Sequence, residues 1–117
     1  MATITATPTD IGSRHCLFTW TSMGNADTGT AVEIPWYSDR TIQVVATAYG
    51  GATLVISGSL DNSNWVTLAD PQGNALSFTS GAKMETLLEN TRYIRCSTSG
   101  GTGTDLTVML YALKKFL

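Results

Sequence analysis

Thr41-Ile42-Gln43-Val44-Val45-Ala46-Thr47-Ala48 is the stretch whose reading decides the fold class. Ile42, Val44, Ala46 and Ala48 fall on one side of an extended chain, and Thr41, Gln43 and Thr47 fall on the other. That two-residue period belongs to a strand with one face meant for burial. Gly50-Gly51 follows and turns the chain into Ala52-Thr53-Leu54-Val55-Ile56-Ser57, which reads as the second arm of a hairpin. Working outward, Asp61-Asn62-Ser63-Asn64 closes the next turn before Trp65-Val66-Thr67-Leu68. Cys16, Phe18 and Trp20 alternate with Leu17, Thr19 and Thr21, and Ile94 and Cys96 alternate with Tyr93, Arg95 and Ser97. In the final apolar stretch Leu106, Val108, Leu110 and Ala112 share a face. The opposite face, with Thr107, Met109, Tyr111 and Leu113, is only half polar.

Shorter segments at 2–7, 32–34, 76–79 and 84–88 bring the total to roughly eight to ten strands joined by short loops. The segment 82–89 also has spacing compatible with one helical turn, through Met84, Leu87 and Leu88. The fold class that follows is all-β: a single β-sandwich, jelly-roll-like, over residues 1–117. Residues 1–12 read as an extended N-terminal arm and 114–117 as a C-terminal tail. The stretch 97–104, built from Ser, Thr and Gly, reads as a flexible hairpin tip.

Composition supports this class. At 117 residues there is room for one domain. Thr (19), Ser (10) and Gly (11) make up about a third of the chain, while charged residues are only 14%, well under the usual quarter. Hydroxyls stand where charge would be expected. A net charge of -2 offers no cationic face for phosphates, so nucleic acid is not an expected partner. No apolar run approaches the length of a membrane helix, and residues 1–8 carry neither the basic nor the apolar region of a secretion signal. The expectation is therefore assembly in a cytoplasm, with no membrane partner.

The search for chemistry yields little. His15 is the sole histidine, and its neighbour Cys16 points to the opposite strand face, so the two do not form a nucleophile and base pair. Cys16 and Cys96 read as buried thiols, with a disulfide between them as the alternative. One His and two distant Cys do not make a zinc set. Asp61-Asn62-Ser63-Asn64 has oxygen ligands but lacks the glycine and distal glutamate of a calcium loop, so turn chemistry is the preferred reading there, as at Asp70. Gly100, Gly101 and Gly103 precede no Lys and no helix that would cradle a phosphate. The expectation is a non-enzyme with no cofactor and no metal.

The aromatics say more. Trp20 sits with Phe18 on the inward face and reads as core. Trp36-Tyr37 follows Pro35 and precedes Ser38-Asp39-Arg40, a setting in which two adjacent aromatics do not both fit one small core. Either one caps the sandwich end or they anchor a partner. Phe116 and Leu117 end the chain as a frayed terminus or an apolar hook. Trp36, Tyr37, Arg40, Phe116 and Leu117 are the candidate partner-contact residues.

Two longer passages carry a family resemblance. The run 58–79, from Gly58-Ser59-Leu60-Asp61-Asn62-Ser63-Asn64-Trp65 to Leu76-Ser77-Phe78-Thr79, resembles small structural proteins of tailed bacteriophage virions. So does Thr91-Arg92-Tyr93-Ile94-Arg95 followed by a Gly/Thr tip and an apolar final strand. The resemblance covers roughly residues 32–113 and is to capsid decoration, or cement, proteins. It implies a sandwich bound to the outside of an assembled head, the major capsid protein as partner, a dimer or trimer, and clamping of neighbouring capsid subunits. The Gly-Ser-x-Asp-x-x-x-Trp portion also resembles a hairpin of discoidin-type carbohydrate- and lipid-binding sandwiches, although the chain is shorter than those domains and lacks their terminal cysteines. A glycan-binding module of a tail or fibre, recognising a host-surface glycan through Trp65, Asn62, Asn64 and Trp36-Tyr37, is accordingly the second expectation. Independently of either, few charges and half-apolar second strand faces (Val45, Val55, Met109, Tyr111) suit flush contact with other proteins, because little ionised surface must be desolvated.

Overall fold

The computed structural model describes residues 2–12 and 14–114. Twelve strands follow in order: β1 (Thr3–Ile4), β2 (Thr7–Asp10), β3 (His15–Met23), β4 (Thr28–Gly29), β5 (Val32–Glu33), β6 (Tyr37–Ala48), β7 (Thr53–Ser59), β8 (Val66–Thr67), β9 (Ser77–Phe78), β10 (Lys83–Leu87), β11 (Tyr93–Ser99) and β12 (Asp105–Lys114). They form two sheets packed face to face. The five-stranded sheet runs β10-β6-β12-β3-β2 and is antiparallel throughout. The seven-stranded sheet runs β1-β4-β11-β7-β8, with β5 also pairing β11 and β9 pairing β7. The chain is an all-β sandwich that crosses repeatedly between its sheets, in jelly-roll fashion.

Alternation decides what is buried. Ile42 and Val44 from β6, Leu106, Val108, Leu110 and Ala112 from β12, and Trp20 from β3 are fully enclosed, and they meet Leu54 and Ile56 from β7 and Ile94 and Cys96 from β11. Trp20 keeps its indole N–H satisfied by donating to Thr30 O at 2.9 Å. Its ring lies so close to Gly29 that a Cβ there would stand 2.6 Å from Cδ1, so a strand glycine is needed opposite the indole. Among the described residues no buried side-chain nitrogen or oxygen lacks a hydrogen-bond partner.

Three expectations need correction. β6 and β7 are not the arms of a hairpin, because they lie in different sheets and residues 49–52 form a corner between them. Both strands bury alternate residues, a pattern that fits hairpin arms and corner-linked strands equally. Gly50 (φ 59) makes the corner possible, since a Cβ at that position would collide with Thr102 O. Val55 therefore belongs to the seven-stranded sheet and does not share a face with Val45. The stretch 97–104 is no flexible tip either. It carries the chain from β11 in one sheet to β12 in the other, and it is packed: Thr102 N–H donates to Gly50 O (2.8 Å), Thr104 Oγ1 donates to Tyr49 O (2.7 Å), and Thr104 N–H donates to Asn25 Oδ1 (2.9 Å). Residues 2–12 are extended but do not stand off as an arm, because β1 pairs in parallel with β4 and β2 pairs with β3, one segment closing an edge of each sheet. Of the two readings left open for 82–89, the structure shows the strand, β10.

Candidate interaction surfaces

Arg40 organises one end of the sandwich. It lies near the start of β6 with its side chain directed inward, and it is only 1% exposed, without a carboxylate partner among the described residues. All five guanidinium N–H groups are spent on neutral acceptors. Nε donates to Tyr37 O (3.3 Å). Nη1 donates to Glu89 O (3.1 Å) and Thr91 Oγ1 (3.4 Å), and Nη2 donates to Ile34 O (2.9 Å) and Thr91 O (2.8 Å). Burial pulls its pKa down to about 10, which leaves it a cation at neutral pH. Arg40 is thus removed from the partner-contact set: its planar fork ties the segment before β6 to the segment between β10 and β11 and touches nothing outside.

That tie fixes what the end displays. Tyr37 turns in, its ring edge-on to Phe18 at 5.6 Å, and burial together with the adjacent Cys16 thiol pushes its hydroxyl above the usual phenol value. Trp36 turns out and is 51% exposed. The adjacent aromatics thus divide the two roles open to them, Tyr37 capping the core and Trp36 remaining available for contact. Phe116 and Leu117 lie outside the described residues.

Other apolar side chains collect at this end. Leu60, Val66 and Leu88 are exposed, as is Ile11 in the loop between β2 and β3. Leu60, Val66 and Leu68 line a groove of about 460 Å³ with Asp61, Glu89 and Thr91. Thr91, which Arg40 grips, forms one wall. Sequence reasoning did not single out these residues, although two signals were present. Leu60 immediately precedes a polar turn, and Leu87-Leu88 are neighbours on an extended chain, so one of them must face outward.

The Gly-Ser-x-Asp-x-x-x-Trp stretch is turn chemistry. Asp61 Oδ1 accepts from the backbone N–H groups of Ser63 (2.9 Å) and Asn64 (2.8 Å) and from Ser59 Oγ (3.0 Å), and Asn64 Nδ2 donates to Asp61 Oδ2 (2.6 Å). These bonds, with those from Asn64 foremost, hold the Asp61 carboxyl well below the usual carboxylate range. An acid held ionised in this way is not a proton donor for general-acid chemistry. Asp70 does the same work in its own turn, accepting from Gln72 and Asn74 N–H at 3.0 and 2.8 Å. Trp65 is covered on one face by the Arg95 guanidinium, 4.1 Å from the ring centroid, and the Asn64 amide is engaged by Asp61. Of the groups in the glycan expectation, one face of Trp65, the Asn64 amide and the Tyr37 ring are used within the protein, while Trp36 stays exposed.

A second surface lies on the outer face of the five-stranded sheet. Register places Thr9, Leu17, Tyr111, Thr41 and Thr86 in one row across it, and Thr7, Thr19, Met109, Gln43 and Met84 in the next. Leu17, Met84, Met109 and Tyr111 frame a shallow groove of about 350 Å³. His15 stacks on Tyr111, ring centroids 5.0 Å apart, so it serves as packing on this face. Cys16 points the other way, and both cysteines are free thiols, in different sheets. Burial pushes the Cys96 thiol far up, so it is unreactive as a thiolate. Among the described residues no three His, Cys, Asp or Glu side chains gather as a metal site.

No family model matches the chain, and no curated protein matches it in sequence. Its fold is similar to solved structures. The SPBc2 prophage-derived protein YomS has a TM-score of 0.65 at 10% identity, over 91% of this chain and 100% of that one. Weaker likenesses are to PliG of Aeromonas hydrophila, a periplasmic inhibitor of g-type lysozyme (TM-score 0.48, 11% identity, 95% of this chain and 96% of that one), and to Bacillus endospore appendages that form disulfide-linked pili (TM-score 0.45, 14% identity, 95% and 89%). At these identities the likeness to YomS shows a common fold.

Proposed function

We propose that this protein is a non-enzymatic structural component of a tailed-phage particle, a capsid decoration protein that binds the outer surface of the head and clamps neighbouring major capsid subunits. The observation that carries the reading is the unequal placement of exposed apolar side chains. Ile11, Trp36, Leu60, Val66 and Leu88 all stand at the Arg40 end, and the Arg40 hydrogen bonds fix the segments that carry Trp36 and Leu88. A concentration of this kind, rimmed by polar turns, is the usual mark of a protein-contact surface. The resemblance of residues 32–113 to virion proteins and the fold shared with a prophage-derived protein support the phage setting. Each contact can be weak, because many copies on one lattice multiply the effective affinity.

The test is binding of the purified chain to heads that lack it. Saturation at a fixed ratio to the major capsid protein, with a gain in resistance to heat and osmotic shock, is the expected result. Trp36→Ala should weaken that binding at least tenfold, the ordinary cost of removing an aromatic anchor. Heads that gain no resistance when saturated would dispose of the clamping role.

A further inference from the structure

We infer that the outer face of the five-stranded sheet is a self-association surface, on which a second copy of this chain packs sheet to sheet. The inference concerns a different face from the one used above and does not rest on the particle reading.

The centre of this face lacks charge. At its outward positions β2 presents Thr7 and Thr9, β3 presents Leu17 and Thr19, β12 presents Met109 and Tyr111, β6 presents Thr41, Gln43 and Val45, and β10 presents Met84 and Thr86. None of these is ionised; Asp39 on β6 and Asp105 on β12 are exposed carboxylates near opposite ends of the sheet, and His15 stacks on Tyr111 toward the Asp39 end, so the centre of the face is the uncharged part. The seven-stranded sheet differs: its outer face carries Glu33 bridged to Arg92 at 2.8 Å and Arg95 lying over Trp65. Two copies of a face charged at its centre repel or need an offset register, whereas two copies of a face whose centre is uncharged meet there without that cost, its carboxylates staying at the rim.

Its polar groups make a copy of the same face the fitting partner. Thr hydroxyls, the Tyr111 hydroxyl and the Gln43 amide each donate and accept hydrogen bonds. A surface whose central polar groups are of this kind is complementary to itself under a two-fold axis, which isologous dimers require. Gln43 lies centrally, between Met109 and Met84 in its row, where an amide can pair with its symmetry mate while the thioethers fill the irregular space around it.

The area is sufficient. Five strands at about 4.8 Å spacing and about eight residues of about 3.3 Å each give a face of about 600 Å², so two copies cover about 1,200 Å². That lies at the lower limit of specific interfaces and corresponds to a dimer that forms at micromolar concentration.

Sedimentation equilibrium of the full chain from 1 to 200 µM tests this. The expected result is a weight-average mass rising from 12.5 kDa toward twice that value. Met84→Glu and Met109→Glu should each raise the dissociation constant at least tenfold, because each places like charges across the axis. Met84 is exposed, so its substitution leaves folding intact even if the Met109 variant does not fold. Ser97→Glu, on the outer face of the other sheet, should leave the constant unchanged. A chain that stays monomeric to 200 µM overturns the inference, and so does a dimer that persists undiminished in Met84→Glu or is broken by Ser97→Glu.

Discussion

The two ends of the sandwich are both sealed, by different chemistry. At the crossover end, residues 24–27, 49–52 and 100–104 meet where the chain passes between sheets, and the join consists of short hydrogen bonds between backbone groups and the side chains of Asp27, Thr98 and Thr104. Asp27 N–H donates to Thr98 Oγ1 (2.7 Å), Thr98 Oγ1 donates to Gly24 O (2.6 Å), Gly24 N–H donates to Asp27 Oδ2 (2.7 Å), and Thr104 Oγ1 donates to Tyr49 O (2.7 Å). At the other end a single guanidinium holds four residues together through their backbone carbonyls. The crossover end exposes no large apolar side chain among the described residues, whereas the Arg40 end exposes several. A closure made of many small bonds covers its own surface. Anchoring from beneath with one long side chain leaves the outer surface free, and that surface is available for contact.

Arg40→Leu should therefore produce the largest effect. It strips the carbonyls of Ile34, Tyr37, Glu89 and Thr91 of their donors at one stroke, at a cost of about 3–5 kcal/mol in urea denaturation, and Arg40→Lys should recover only part of this because an ammonium lacks the planar fork. Thr98→Val, at the opposite end, should cost about 1–3 kcal/mol, since it strands only the Asp27 N–H and the Gly24 carbonyl. Equal losses from the two substitutions would mean that the ends are not closed in different ways.

The stability of the Asp61 turn depends on pH. The folded-state pKa of Asp61 lies below its unfolded value of 3.8, so its turn contributes stability in full above about pH 4 and loses it as pH falls through the folded-state value. Asn at this position can keep the bonds that Oδ1 accepts from Ser59, Ser63 and the Asn64 backbone, loses the one from Asn64 Nδ2, and does not titrate. The difference in melting temperature between wild type and Asp61→Asn should thus shrink as the solution is acidified from pH 5 to pH 2.5. A difference that stays constant across that range would show that the turn does not depend on the carboxylate.

How much of this was legible in the sequence depended on the range of the interaction. The period-two pattern of β6 and β12 gave the sandwich and the identity of the enclosed side chains, because burial on one face is a local signal. Asp61 and Asp70 were readable as turn residues because their partners lie within four positions. The corner at Gly50 was not readable. Its reason for being glycine is Thr102 O, some fifty residues away, and adjacent strands look the same whether they pair or pass between sheets. Arg40 misled for the same reason: an arginine between polar residues ordinarily faces solvent, and its acceptors at Glu89 and Thr91 are distant in sequence. The apolar end was half visible, through Trp36-Tyr37, and was completed only when the topology brought Leu60, Val66 and Leu88 alongside.

The smallest expected effect on stability makes the sharpest test of the comparison. Trp36 is a large aromatic, and if it were part of the seal its removal would cost about 3–5 kcal/mol, as core aromatics do. It is half exposed, however, and Tyr37 rather than Trp36 packs on Phe18, while Arg40 holds the surrounding backbone through the Ile34 and Tyr37 carbonyls. Trp36→Ala should therefore shift urea-denaturation stability by no more than about 0.5 kcal/mol, the range of ordinary surface substitutions. Tyr37→Ala, one residue along, should cost several times as much, since it removes a packed ring. If Trp36→Ala were as damaging as Tyr37→Ala, the indole would belong to the core and the Arg40 end would have no displayed anchor. A stable Trp36→Ala protein whose binding to heads is nevertheless lost would separate the two functions of this end, with Arg40 closing the fold and Trp36 meeting the partner.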